Sequence, residues 1–266
     1  TRPTGWTLPS ISAVSAVRSG FDTYTDGRPV ATHTNAGMVS TGTALYRFLG
    51  IHWNPNGGFT TACWKYTYAT STWTFLGNYK GPVNQGLCAY DEAANKILIT
   101  TDDQFAYQFL NCQTGSMSAL KTHSSNVGYG STIAYDSRRR RAVEIGANRR
   151  LWTIDWTAET ITGGSYTPTG ATAGASITAA CAFYDELKDV IWIFAGRRGD
   201  PGYSTIYEMN ASTFAITAHP LSQSIALSLS ADYNGAWDRY IWMHEWRAVG
   251  FVSNAEAPPV VIKLPA

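Results

Sequence analysis

Charge is scarce in this 266-residue chain. Asp, Glu, Lys and Arg make up 15% of it and leave a formal net charge of +1, against a usual charged share of roughly 25%. No overall field therefore draws the chain to nucleic acid or to an anionic membrane, and any such contact has to be local. Cysteine is scarce too. Cys63, Cys88, Cys112 and Cys181 form no CxxC pair and no Cys/His spacing suited to zinc, so no metal site is expected on them and no cofactor is implied. They fall in strand-like segments, where a small thiol packs as an apolar group. No apolar run reaches the ~18 residues of a membrane-spanning helix. A charged-then-apolar secretory leader is not visible. Long amphipathic patterns at a 3.6-residue period are also missing, which argues against a helical protein.

What fills the chain instead is short alternating segments separated by clusters of Gly, Asn, Asp, Ser and Thr, the pattern of an antiparallel meander. Four segments superimpose: "AYDEAANKILITTDD", "AYDSRRRRAVEIGAN", "FYDELKDVIWIFAGR" and "DYNGAWDRYIWMHEW". Each reads Tyr, then Asp or Asn, a polar turn and a hydrophobic strand, with Tyr90, Tyr135, Tyr184 and Tyr233 spaced 45, 49 and 49 apart. A second half-repeat, a strand, a turn and a return strand, begins near Cys63, Ala106, Leu151, Ile206 and Val249. Repeats of about 40 to 50 residues with four strands each are the signature of a β-propeller, because a lone twisted sheet cannot cover both of its faces whereas a ring of sheets can.

The expected fold is thus all-β: a five-bladed β-propeller of four-stranded antiparallel blades, with a six-bladed ring as the alternative. The blades fall at about 37–81, 84–124, 128–168, 176–221 and 225–266. Residues 1–36 form an N-terminal segment that closes the ring or reaches a neighbouring subunit. The units "LWTIDWTAETIT" and "IYEMNASTFAIT" resemble the aromatic strand, turn and return strand of Kelch-type propellers, although "KILITTDD" and "RAVEIGAN" lack that family's paired glycines. The charge-poor, Thr- and Trp-rich construction also looks like a virion component such as a bacteriophage tail, nozzle or fibre protein. That resemblance implies a virion or extracellular location.

With strands A to D running outward from the axis, the A–B and C–D turns share one face and the B–C loops lie on the other. The B–C loops gather His52, Trp53, Asp102, Asp103, Arg149, Arg150, Arg197, Arg198, Asp200, His244, Glu245, Trp246 and Arg247. Aromatic rings beside Arg, Asp and Asn suit a sugar or peptide ligand, the ring covering an apolar face while polar groups fix orientation. Arg198, Gly199 and Asp200 also spell an RGD tripeptide. The A–B turns start on Asp91, Asp136 and Asp185, which can close their turns by accepting backbone hydrogen bonds. One of them holds the run Arg138, Arg139, Arg140 and Arg141, which is expected to contact an acidic neighbour such as another subunit. Phosphate tracking needs several converging cations, and no such track is anticipated.

No catalytic residue is assigned. Glycoside hydrolysis needs two carboxyl groups flanking one bond, and only Asp232 is acidic within an expected axial strand. GxSxG, HExxH and GxxxxGK[ST] are all missing. The reading that follows is a non-enzymatic rigid module that binds protein subunits or a glycan receptor and works as a homo- or hetero-oligomer. A carbohydrate-binding lectin is the first alternative and a five-bladed glycoside hydrolase the second.

Overall fold

The computed structural model describes residues 23, 28–29, 32–33, 36–52, 58–82, 86–101, 106–122, 130–146, 149–169, 177, 180–194, 205–220, 240–251 and 260–264. These form five sheets of a five-bladed β-propeller. Blade one holds β1 (Thr32–His33), β2 (Met38–Ser40), β3 (Ala44–His52), β4 (Phe59–Thr67) and β5 (Thr72–Asn78), with β1 and β2 both paired to β3. Blade two runs β6 (Gly86–Asp91), β7 (Lys96–Thr101), β8 (Ala106–Asn111) and β9 (Lys121–Thr122). Blade three runs β10 (Thr132–Asp136), β11 (Arg141–Ile145), β12 (Arg150–Asp155) and β13 (Thr160–Ser165). A short β14 (Thr167–Thr169) then crosses over and pairs in parallel with the outer strand of blade four. That blade consists of β15 (Cys181–Asp185), β16 (Val190–Phe194), β17 (Thr205–Asn210) and β18 (Ala215–Pro220). Three strands of blade five are described: β19 (Tyr240–Met243), β20 (Ala248–Phe251) and β21 (Val260–Lys263).

Strands β2, β6, β10 and β15 lie side by side as the inner strands of their blades. The core sits in the seams between blades. Phe48 and Tyr46 meet Ile97 and Ile99 across seam one–two, and Leu98 and Phe109 meet Ala142, Ile154 and Trp156 across seam two–three. Val143 and Ile145 meet Ile191, Tyr207 and Met209 across seam three–four, and Trp192 and Phe194 meet Val249 and Leu264 across seam four–five. Alternation explains how one strand serves two seams. In β7, Ile97 and Ile99 face blade one while Leu98 faces blade three, as a two-residue period requires.

Blade five departs from the register expected from sequence. In blades two, three and four, the last residue of the A–B turn accepts a backbone hydrogen bond from the residue just after strand C: Cys112 N–H to Asn95, Trp156 N–H to Arg140 and Ala211 N–H to Asp189. The matching bond in blade five runs from Leu264 N–H to the Arg247 carbonyl. Hence β19, β20 and β21 are strands A, B and C. The segment His244–Trp246, a single 3-10 turn, belongs to the A–B turn rather than to a B–C loop.

Candidate functional site: two unlike faces of the ring

The A–B and C–D turns are built to one plan. Each inner-strand Asp uses one oxygen to close its own turn. Ala94 N–H donates to Asp91 Oδ1 at 3.1 Å, Arg139 N–H to Asp136 Oδ1 at 3.1 Å, and Leu187 N–H to Asp185 Oδ1 at 3.1 Å. On the C–D side Asn111, Asp155 and Asn210 accept in the same way from N–H groups two and three residues on. Six of these turns end in the left-handed region on a residue with a side chain, at Asn95 (φ 49°), Arg140 (49°), Glu159 (50°), Asp189 (58°), Phe214 (58°) and Arg247 (46°). That conformation is uncommon for a residue with a side chain. Its recurrence shows that the turn geometry sets the backbone, and the blade-two C–D turn meets the same demand with Gly115 (φ 72°).

The repeated Tyr serves the same turns. Tyr90 O–H donates to Asn95 Oδ1 at 3.3 Å and Tyr184 O–H to Asp189 Oδ1 at 2.8 Å.

The left-handed residue then reaches back to the preceding blade. Arg140 Nη2 lies 2.9 Å from Asp91 Oδ2, and Arg247 Nη2 lies 3.0 Å from Asp185 Oδ2. At the seam between them the polarity is reversed. Asp189 receives Arg139 of blade three, with Nη1 2.6 Å from Oδ1 and Nη2 2.5 Å from Oδ2, the bidentate form that is strongest for Arg and carboxylate. Glu159 repeats the pattern on the C–D side, taking Lys96 at 3.0 Å and Lys121 at 2.8 Å from blade two.

These contacts answer what the arginine run touches. Arg138 donates to the Glu186 carbonyl and sits 3.4 Å from Asp189. Arg139 holds Asp136 and Asp189, and Arg140 holds Asp91. Arg141 donates to Asp136 at 3.1 Å and to the Ala211 carbonyl, and its guanidinium lies over the Phe214 ring. The acidic neighbours are carboxylates of the same chain.

The electrostatics agree with the geometry. Burial works to raise the Asp91 carboxyl, but hydrogen bonds from Arg140, Tyr135 and Ala94 outweigh it and hold the group below its ordinary value. Asp185 is likewise pushed up by burial and pulled further down by Trp192 and Arg247. Arg139 holds Asp189 far below the carboxylate range. Burial opposes Lys121 and Lys96 at Glu159, and the two lysines prevail.

The opposite face carries the B–C loops, where the described residues are fewer. Arg149 and Arg150 are exposed at the start of β12. The Arg149 carbonyl accepts from Tyr166 N–H at 3.1 Å, and Tyr166 O–H donates to the Gly146 carbonyl at 2.8 Å, so this loop is anchored from beneath. His52 ends β3. Trp53, Asp102, Asp103, Arg197, Arg198 and Asp200 lie outside the described residues. His244, Glu245, Trp246 and Arg247, expected among them, sit on the A–B face instead, because Arg247 reaches the inner-strand Asp185. Trp246 is 66% exposed there.

One residue escaped the sequence reading. Glu144 is buried in β11, at the step held by Ile99 in β7 and Ile193 in β16, and Ser131 Oγ donates to it at 3.1 Å. A charge at an otherwise apolar repeat position was the signal that could have found it. Among the described residues no group of three His, Cys, Asp or Glu side chains could hold a metal ion, and no helix is long and apolar enough to cross a membrane.

No protein-family model matches the chain, and no curated protein matches it. The solved structure of YjhT is similar in fold: the match covers 90% of this chain and 86% of that one, with a TM-score of 0.56 at 11% identity.

Proposed function

We propose that the chain is a rigid, non-enzymatic binding and assembly module that engages its partner through the B–C face. The contrast between the two faces carries this reading. On the A–B and C–D face Lys96, Lys121, Arg139, Arg140 and Arg247 are engaged by carboxylates of neighbouring blades, so these cations serve the ring. The other face exposes Arg149 and Arg150, and it is the face to which the sequence assigns the long loop with Arg197, Arg198 and Asp200. Loops held on a rigid scaffold are where recognition concentrates. The favoured partner is another protein subunit of a virion-type assembly, such as a phage tail, nozzle or fibre, in keeping with the charge-poor, Trp-rich composition. A Kelch-like ancestry of the blades and a role for residues 1–36 in ring closure or as an inter-subunit arm are compatible with it.

The test is self-association together with particle content. Sedimentation at micromolar concentration should give a closed oligomer, or the chain should be found in purified virus particles. Replacing Arg150, Arg197 and Arg198 together by Ala should abolish the assembly while leaving the thermal transition in place. A chain that stays monomeric and is missing from particles overturns the reading, and a glycan-array signal lost in the same variant would put the lectin alternative in its place.

A further inference from the structure

Blades of one fold, in one chain, present a hazard: any blade's side can seat against the wrong neighbour. Each seam must therefore be told apart from the others, and shared apolar patterning cannot do it. The crossing ion pairs differ in a way that can. The left-handed turn residue is Arg at blade three, Asp at blade four and Arg at blade five. It meets a carboxylate at seam two–three, a guanidinium at seam three–four and a carboxylate again at seam four–five.

We infer that this alternation of polarity is a key that fixes blade order, rejecting assemblies in which a blade is skipped. Seating the blade-four turn against blade two would set Asp189 against Asp91, two carboxylates. Seating the blade-five turn against blade three would bring Arg247 to Asp136, whose Oδ2 already receives Arg139 at 3.0 Å and Arg141 at 3.1 Å. The first skip thus sets carboxylate against carboxylate and the second sets Arg247 beside two arginines that already hold that carboxylate, while the sequential seatings at seams two–three, three–four and four–five pair opposite charges. Specificity of this kind comes from the repulsion built against the wrong partner as much as from the attraction to the right one. The key also explains why the blade-three turn is all arginine. Arg139 points forward to blade four and Arg140 points back to blade two, so one turn supplies cations to two seams, while Arg141 holds its own Asp136.

The experiment compares two double variants on refolding from urea. Arg139→Gln with Asp189→Asn removes the pair and leaves seam three–four neutral. Arg139→Glu with Asp189→Arg restores opposite charges between these two positions but makes the blade-four turn attractive to Asp91. Because it also sets a carboxylate against Asp136 and removes the acceptor of Tyr184, the two variants are compared at equal distance below their own urea midpoints. The key predicts that the charge-swapped variant gives less native monomer than the neutral one, by about two-fold or more, with the balance in misassembled species seen by size exclusion, since transiently exposed seams are where such chains fail. The difference should vanish in ~1 M NaCl, where screening acts within about 3 Å. Equal yields from the two variants, or a swapped variant that refolds better, would overturn the inference. A second readout keeps it testable if the swapped chain is too unstable to refold. Native-monomer yield of the unaltered protein should fall in the same salt at constant temperature, and an unchanged yield counts against the key.

Discussion

Arg140 and Asp91, 49 residues apart in sequence, share a 2.9 Å hydrogen bond that ties the A–B turn of blade three to that of blade two. Asp91 has almost no exposed surface, and its two oxygens do different work: Oδ1 closes its own turn and Oδ2 takes the neighbour's guanidinium. Asp91→Ala should therefore lose both functions and leave the Ala94 N–H without its acceptor, at a cost of about 2 kcal/mol. Asp91→Asn keeps the turn closure through its amide oxygen but turns an amide NH2 toward Arg140 in place of Oδ2, so it loses the seam contact alone and about 1 kcal/mol is expected. Urea midpoints of the two variants measure this, and equal losses would mean that the seam, not the turn closure, carries the energy.

Acid should loosen the seams in a defined direction. The carboxyls of Asp91, Asp185, Asp189 and Glu159 are all held below their ordinary values in the folded chain. A depressed carboxyl contributes stability that is complete above its unfolded value and is lost as pH falls through the folded one, because the unfolded state then binds more protons. The thermal midpoint should thus be flat near neutrality and fall as pH drops below about 5. Asp91→Asn should flatten that fall. A midpoint that keeps its neutral value down to pH 3 would contradict the assignment.

Much of this was legible in the sequence, and the limits have physical causes. The Tyr–Asp step identified inner strands in blades two, three and four because the Asp closes a turn and the Tyr reaches that turn's last side chain in blades two and four. Both jobs leave a mark at fixed spacing. Blade five carries Met243 where the others carry Asp, so the sequence pattern settled on Tyr233 and Asn234 instead. The expected A–B turn "NGAWDR" therefore precedes the strand that the structure assigns as A. What Arg138 to Arg141 touch was hidden for another reason. A repeat predicts that a polar connector stands there, but the carboxylates that pair with it lie on adjacent blades and are fixed only once the ring closes. The parallel strand β14 was likewise out of reach, since its partner β18 is set by the crossover and not by local pattern.

Gly86 tests how closely blades one and two approach. It opens β6, and a Cβ placed there would sit 2.8 Å from the Phe48 carbonyl oxygen and 3.0 Å from Leu49 Cβ. Leu49 lies at the irregular step of β3, with φ 56°, so this part of blade one bulges at the level of Gly86. Backbone atoms cannot yield as a flexible side chain would. Gly86→Ala should cost about 1–3 kcal/mol through overpacking, read as a lower thermal midpoint. A neutral result would show that the seam has slack.

Arg247 and Arg140 hold equivalent turn positions, with φ of 46° and 49°, and each donates to the Oδ2 of a buried Asp in the blade before it. They differ in surroundings. The Arg247 side chain is 24% exposed against 45% for Arg140, and Trp192 Nε1 donates to the same Asp185 oxygen at 3.2 Å. Both carboxylates are almost fully enclosed, so water competes less where the guanidinium is more enclosed, and the Arg247–Asp185 pair should show the larger coupling. Double-mutant cycles built from Arg→Gln and Asp→Asn at each seam isolate those terms from the loss of the turn closure, which Asn retains. Coupling should be favourable at both seams and greater at Asp185. The opposite order would mean that the reach of the turn, rather than exclusion of solvent, governs the strength of the pair.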